Sequence, residues 1–202
     1  MLLNKKILEK NYILACWFFN KNIINITLKI LGVGIKKVCV VSGFDIVIEI
    51  VEKNIYPIII FLSNHTLCQL KNLTDIICYD TPTFFYRFSI IYNLISIHYN
   101  LRFRVITKVN ELSNLFSVIG IYKSAIWFER EIFDFFGIFF LGNNDLRRIL
   151  TDYGFNSFSL RKDFPLTGYV DVYYDDNQKR ICYRNIELAQ EHRNFTLKSS
   201  WV

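Results

Sequence analysis

The stretch FFYRFSIIYNLISIHYNLRFRVITKV, Phe84–Val109, carries the strongest structural signal in the chain. Within Phe84–Ile97, Phe88, Ile90, Tyr92 and Leu94 fall on one face and Arg87, Ser89 and Asn93 on the other. That period of two marks a half-buried strand. After a turn at His98–Asn100 the alternation resumes over Leu101–Val109, with Leu101, Phe103 and Val105 set against Arg102 and Arg104. Two such runs joined by a short turn predict an antiparallel pair. Upstream, Asn72–Tyr79 reads as a strand ended by Asp80-Thr81-Pro82, and Val38–Ser42 with Asp45–Val51 flanks Gly43 as a hairpin. Phe116–Tyr122 reads as one more strand. Tyr56–Leu70 is apolar, with Pro57 placed for a first helical turn. The fold class is therefore α+β: a mostly antiparallel sheet flanked by helices, with an extended C-terminal arm.

The best helix is Lys123–Phe136. Ser124 can cap its start and Gly137 can end it. Phe128, Ile132, Phe135 and Phe139 recur at helical spacing, while Arg130, Glu131 and Asp134 lie elsewhere on its surface, with Arg130 and Asp134 spaced to pair. Glu131 and Asp134 also stand at the spacing of an acid/base pair. No His, Cys or Ser nucleophile is arranged to work with them, which favours a solvated or interface face. At the other end of the chain, Leu8, Tyr12, Ala15, Cys16 and Phe19 predict an N-terminal helical segment, 1–35, before the α+β core, 36–140. From 141 to 202 periodicity fades, apart from a hint of strand at Val170, Val172 and Tyr174, and the chain is dense in Gly, Asp, Arg, Tyr and Phe. Such a stretch reads as an arm laid over a protein partner. Its doublets Arg147-Arg148 and Arg161-Lys162 stand near Asp145, Asp152 and Asp163, which would repel a polyanion.

Composition narrows the function classes. The 202 residues carry a formal net charge of +6, so an anionic partner is favoured. A basic RNA-binding or ribosome-associated protein is the alternative reading. The longest run without Asp, Glu, Lys or Arg, between Lys53 and Lys71, is 17 residues and includes Pro57, Asn64 and Gln69. That is short of the roughly 20 apolar residues of a membrane span. The start is interrupted by Glu9 and Lys10 and reads as neither a secretory signal nor a clear transit peptide. Five cysteines, Cys16, Cys39, Cys68, Cys78 and Cys182, and three histidines are scattered, without metal-ligand spacing. Reduced, mostly buried thiols are expected. Gly32-Val33-Gly34 lacks the further glycine and the context of a dinucleotide loop.

One longer pattern goes further. Ser124-Ala125-Ile126-Trp127-Phe128-Glu129-Arg130-Glu131, then Asp134 and Gly137, is followed by Asp145-Leu146-Arg147-Arg148-Ile149-Leu150-Thr151-Asp152-Tyr153-Gly154-Phe155 and by Leu160-Arg161-Lys162-Asp163-Phe164-Pro165-Leu166. Glu187-Leu188-Ala189-Gln190-Glu191 and Trp201 complete it. This series resembles the 30-kilodalton subunit family of respiratory complex I (NADH:ubiquinone oxidoreductase subunit 9 and its bacterial counterpart). The resemblance implies an α+β domain whose C-terminal extension wraps the 49-kilodalton subunit, among the quinone-module subunits of the peripheral arm, on the matrix side of the mitochondrial inner membrane. It implies a structural role within a proton-translocating enzyme. FMN, iron–sulfur clusters and quinone are then carried by other subunits. The residues it places at the partner interface are Glu129, Arg130, Glu131, Asp134, Asp145, Arg147, Arg148, Asp152, Tyr153, Arg161, Lys162, Asp163 and Phe164. Two departures stand out: Asn143 and Asn144 replace the family's His-Pro before the Asp145 run, and Asn156–Ser159 replace its Gly and His-Pro. Synthesis inside the organelle fits the N-terminus and the composition.

Overall fold

A computed structural model describes residues 32, 34–41, 45–190, 193, 195 and 199. The expected N-terminal helix, the Gly43 turn and Trp201 lie outside the described residues. The chain divides into two compact units, at Lys162/Asp163. The first unit is built on a five-stranded sheet of β1 (Ile35–Val41), β2 (Asp45–Ile50), β3 (Asn72–Asp80), β4 (Phe88–Ser96) and β5 (Leu101–Val109), in the order β1-β2-β5-β4-β3. Every neighbouring pair is antiparallel except β2 with β5. That joint is parallel because the chain leaves β2 through helix α1 (Ile55–Asn64), reaches the far edge as β3, and returns through β4 and β5.

The alternation that predicted β4 and β5 is the one that buries them. Phe88, Ile90, Tyr92 and Leu94 join Leu101, Phe103 and Val105 in one core with Ile46, Ile48 and Ile50. The first helix adds Ile55, Ile58, Ile59 and Leu62 to that core. Helix α2 (Ala125–Phe136) adds Ala125, Ile132 and Phe136. Cys68 and Cys78 are buried free thiols, and burial pushes the Cys68 thiol up to about 11. Among the described residues no helix is long and apolar enough to cross a membrane.

Four expectations are corrected. Strand β4 begins at Phe88, not Phe84, because Arg87 folds the chain before it: its backbone carbonyl accepts from both the Thr81 amide and hydroxyl, at 2.9 Å each. Residues Phe116–Tyr122 form no full strand. A two-residue β6 (Leu115–Phe116) pairs with β7 (Phe140–Leu141), and turns follow. Ser124 starts α2 without a side-chain cap, whereas Gly137 ends it in the left-handed conformation at φ +76°, with its amide on the Phe133 carbonyl. Phe139 leaves the apolar stripe and is exposed. In the second unit, Val170–Asp175 (β8) is a full strand. It pairs with a strand the sequence did not announce, Arg180–Asn185 (β9).

Two buried phenols behave oppositely in this core. Tyr122 donates to the Leu70 carbonyl. The Tyr92 hydroxyl is buried without a partner among the described residues. Tyr122→Phe should therefore cost about 1 kcal/mol in urea unfolding, while Tyr92→Phe should be neutral or stabilising by a similar amount. An equal loss in both variants would contradict this.

Candidate functional site

The charges of the long motif converge where α2 meets residues 143–162. Asp134 is fully buried. Its Oδ2 accepts the backbone amides of Ile149, Leu150 and Thr151 at 3.1, 2.7 and 2.9 Å. Its Oδ1 accepts the Thr151 hydroxyl at 2.5 Å and the Arg148 guanidinium at 3.2 Å. Burial alone would push this carboxyl up. The Thr151 hydroxyl and the three amides outweigh it and hold Asp134 below the usual carboxylate range. Arg148 also reaches the Ser157 carbonyl at 2.9 Å.

Glu129, one turn earlier, is buried as completely. It accepts the Ser117 hydroxyl at 2.7 Å, the Val118 amide at 2.8 Å and the Asn143 side-chain amide at 3.1 Å. No cation faces it in that set. Desolvation therefore wins over the hydrogen bonds, and its carboxyl sits above the usual range. Arg130, between them, bonds the Asp145 carbonyl at 2.7 Å and the Asp145 carboxylate, and lies 5.2 Å from the Trp127 ring. So Arg130 and Asp134 do not pair with each other, as their spacing suggested. Each binds across the seam instead.

A second cluster continues it. Asp80 takes Arg87 in bidentate fashion at 2.8 Å per bond and accepts the Lys162 amide at 2.8 Å. Burial raises the Asp80 carboxyl, but Arg87, the Lys162 amide and Arg161 together bring it below its ordinary value. Glu111 bridges Arg87 and Arg161, the latter at 3.3 Å. Arg161 caps the end of α2 through the Phe136 carbonyl at 2.7 Å. Its guanidinium is 4.5 Å from the Phe158 ring and 5.3 Å from Phe88, and Arg148 lies 5.0 Å from the same Phe158 ring. Phe158 in turn covers Gly137: a Cβ there would sit 2.5 Å from the ring.

The expected interface residues thus separate. Glu129, Arg130 and Asp134 are buried inside this chain, and Arg148 and Arg161 are mostly covered. Glu131, Arg147, Asp152, Tyr153 and Lys162 are exposed, and Asp145 is half-buried. Among the described residues Arg147 reaches only Asp145, at 3.4 Å. Asp163 and Phe164 fall in the second unit, where Phe164 stacks edge-on against Tyr169 at 5.6 Å. Glu131 and Asp134 do not form an acid/base pair: one is exposed, the other fully occupied by donors. The first 22 residues expected in the arm, 141–162, belong to the first unit. Asp80, Arg87, Glu111, Ser117, Thr151 and Phe158 were not singled out as site residues. Their partners lie up to 82 positions away, and spacing carries no signal at that range. Among the described residues no three His, Cys, Asp or Glu side chains are grouped to hold a metal ion.

The two buried carboxylates carry opposite pH signatures. A depressed folded pKa makes Asp134 a stabiliser above the ordinary aspartate range, lost as pH falls through the folded value. A raised one makes Glu129 a liability that grows as pH rises above the ordinary glutamate range, about 4.3. Asp134→Ala should cost about 3–5 kcal/mol at neutral pH, leaving three amides and Arg148 unmatched. Glu129→Gln should gain stability relative to the parent as pH rises from about 4 to 7. Denaturant titrations at several pH values check both, and a pH-independent Glu129→Gln difference would contradict the second. Gly137→Ala should be destabilising by thermal melt, since both φ and the Phe158 ring oppose a methyl there.

Residues 48–170 match the family model described as respiratory-chain NADH dehydrogenase, 30 Kd subunit. NADH-ubiquinone oxidoreductase subunit 9 of Reclinomonas americana is 48% identical over 160 residues, covering 79% of this chain and 78% of that protein. The protein of the same name from Prototheca wickerhamii is 50% identical over 145 residues, covering 72% of this chain and 76% of that one. The solved trypsin-resistant fragment (1-134) of Nqo5 shares the fold, with a TM-score of 0.52 at 22% identity over 61% of this chain and 98% of that one. With a family model spanning its core and seam, and relatives near half identity over most of its length, the chain belongs to the 30-kilodalton subunit family of respiratory-chain NADH dehydrogenase, complex I.

Proposed function

We propose that the chain is a structural, non-cofactor-bearing core subunit of the peripheral arm of mitochondrial complex I, on the matrix side of the inner membrane. It supports assembly of the quinone-reducing module, and through it NADH-to-ubiquinone electron transfer coupled to proton pumping. Its main partner is the 49-kilodalton subunit, with other quinone-module subunits beside it. FMN, iron–sulfur clusters and quinone sit on those other subunits, and the isolated chain does not turn over substrate.

One observation carries this reading. The seam fixes the backbone of residues 145–162 from the inside while leaving large side chains outside. Tyr153 is 99% exposed, and Leu150 and Leu160 are more than half exposed. In the second unit, Leu166, Tyr169, Val172, Tyr174, Ile181 and Tyr183 are exposed as well. Rigidly presented apolar and aromatic groups rimmed by charge suit a protein interface.

The test separates folding from docking. Tyr153→Ala should leave chain stability unchanged within about 0.5 kcal/mol, yet deplete the chain from the large NADH-oxidising assembly on native gels of gently solubilised membranes. Arg148→Ala should lower both stability and assembly, because it strips the seam itself. Wild-type assembly in the Tyr153→Ala variant, together with parallel neutrality at Leu150 and Leu160, would contradict the proposal.

A further inference from the structure

The face of the five-stranded sheet opposite the core carries its own apolar strip. Ile77, Ile91 and Ile106 stand side by side in register across β3, β4 and β5. Ile77 is 45% exposed, and the other two are half-buried. Beside the strip, the strands leave a depression of about 380 Å³ whose lining includes Ile77, Ile91, Ile95 and Arg102 together with Asp45 and Asp75. Such a strip on a folded sheet marks a contact surface.

The charges around it choose among occupants. Arg104 holds Asp45 at 2.6 Å, Lys108 holds Glu49 at 3.1 Å, and Asn93 holds Asp75 at 2.6 Å. The Asp45 and Glu49 charges are thereby matched, while Asp75, on the wall of the depression, keeps its charge against a neutral amide. Arg102 is exposed beside Ile95, with no side-chain partner among the described residues. Lys37, in register with Glu49, is exposed too. Arg102 and Lys37 outweigh Asp75, so the face is apolar with a small positive surplus. The chain's own first 31 residues are a poor match: they hold Lys5, Lys6, Lys10, Lys21 and Lys29 against a single acid, Glu9. A second copy would bring the same positive surplus against itself.

We infer that this face docks an acidic, apolar segment of another subunit of the assembly, seating an aliphatic side chain in the depression and a carboxylate on Arg102. The inference rests on the subunit reading above. It adds a contact surface on the opposite side of the sheet from the α2 seam. A fork-shaped guanidinium at the rim of a depression floored by isoleucines selects a carboxylate by bidentate hydrogen bonding and rejects basic segments by repulsion.

The experiment uses the intact complex. A benzophenone amino acid replaces Ile77 in cells that assemble it, membranes are irradiated, and the assembly is resolved on native gels and sequenced by mass spectrometry. The expected adduct joins position 77 to another subunit, at a segment with Asp or Glu beside aliphatic residues. Arg102→Glu should lower its yield about tenfold, and Arg102→Lys should retain most of it. An adduct to residues 1–31 or to a second copy overturns the inference. So does a yield indifferent to Arg102→Glu, or no adduct from a chain that migrates in the assembly. A chain found only outside the assembly removes the subunit reading and this inference together, and its migration alone reports which has failed.

Discussion

The path of residues 143–162 hangs on the carboxylate of Asp134. A charged group with no exposure is tolerable only when its lone pairs are filled. Here they are filled by three successive backbone amides, a hydroxyl and a guanidinium, all from residues 148–151. Hydrogen bonds to a charged acceptor contribute about 1.5–3 kcal/mol each in favourable settings. Because the donors are consecutive amides, the requirement fixes a backbone conformation rather than a side chain. Residues 143–162 contain no strand or helix of their own, yet they are held in one path.

Other contacts extend that path in both directions. Upstream, Glu129 draws in the Val118 amide and Asn143, fixing the turns that follow β6 and β7. Downstream, Phe158 touches the Arg148 and Arg161 guanidinium groups and covers the glycine that ends α2. The Lys162 amide then closes on Asp80, at the end of β3. Residues 143–162 are thus tied at several points to α2 and to the end of β3. What they present outward is consequently set by the core, and a protein docking there would meet a prearranged surface, at reduced ordering entropy.

The sheet was legible because a period of two is a property of neighbours. Phe88 to Leu94 and Leu101 to Val109 announced both their strands and their buried face. The end of α2 was legible at Gly137 for a similarly local reason. The seam was not. Glu129, Arg130 and Asp134 are charged, and charge on a helix reads as exposure until the donors that satisfy it are known. For Asp134 those donors are mainly backbone amides, which leave no residue-type signature. The Val118 amide, drawn to Glu129, likewise turned an apparent strand at Phe116–Tyr122 into turns. Strand β9 escaped notice because Arg180–Asn185 interleaves charges with only a few apolar residues. The family resemblance placed these residues at a partner interface, whereas Glu129, Arg130 and Asp134 face inward.

Hydrogen exchange of the Ile149, Leu150 and Thr151 amides in the wild-type chain gives the sharpest check on this arrangement. If Asp134 holds them as described, their protection will approach that of the β4 and β5 core amides, although no strand or helix contains them. Exchange at the rate of an unstructured chain, while β4 and β5 stay protected, would contradict it.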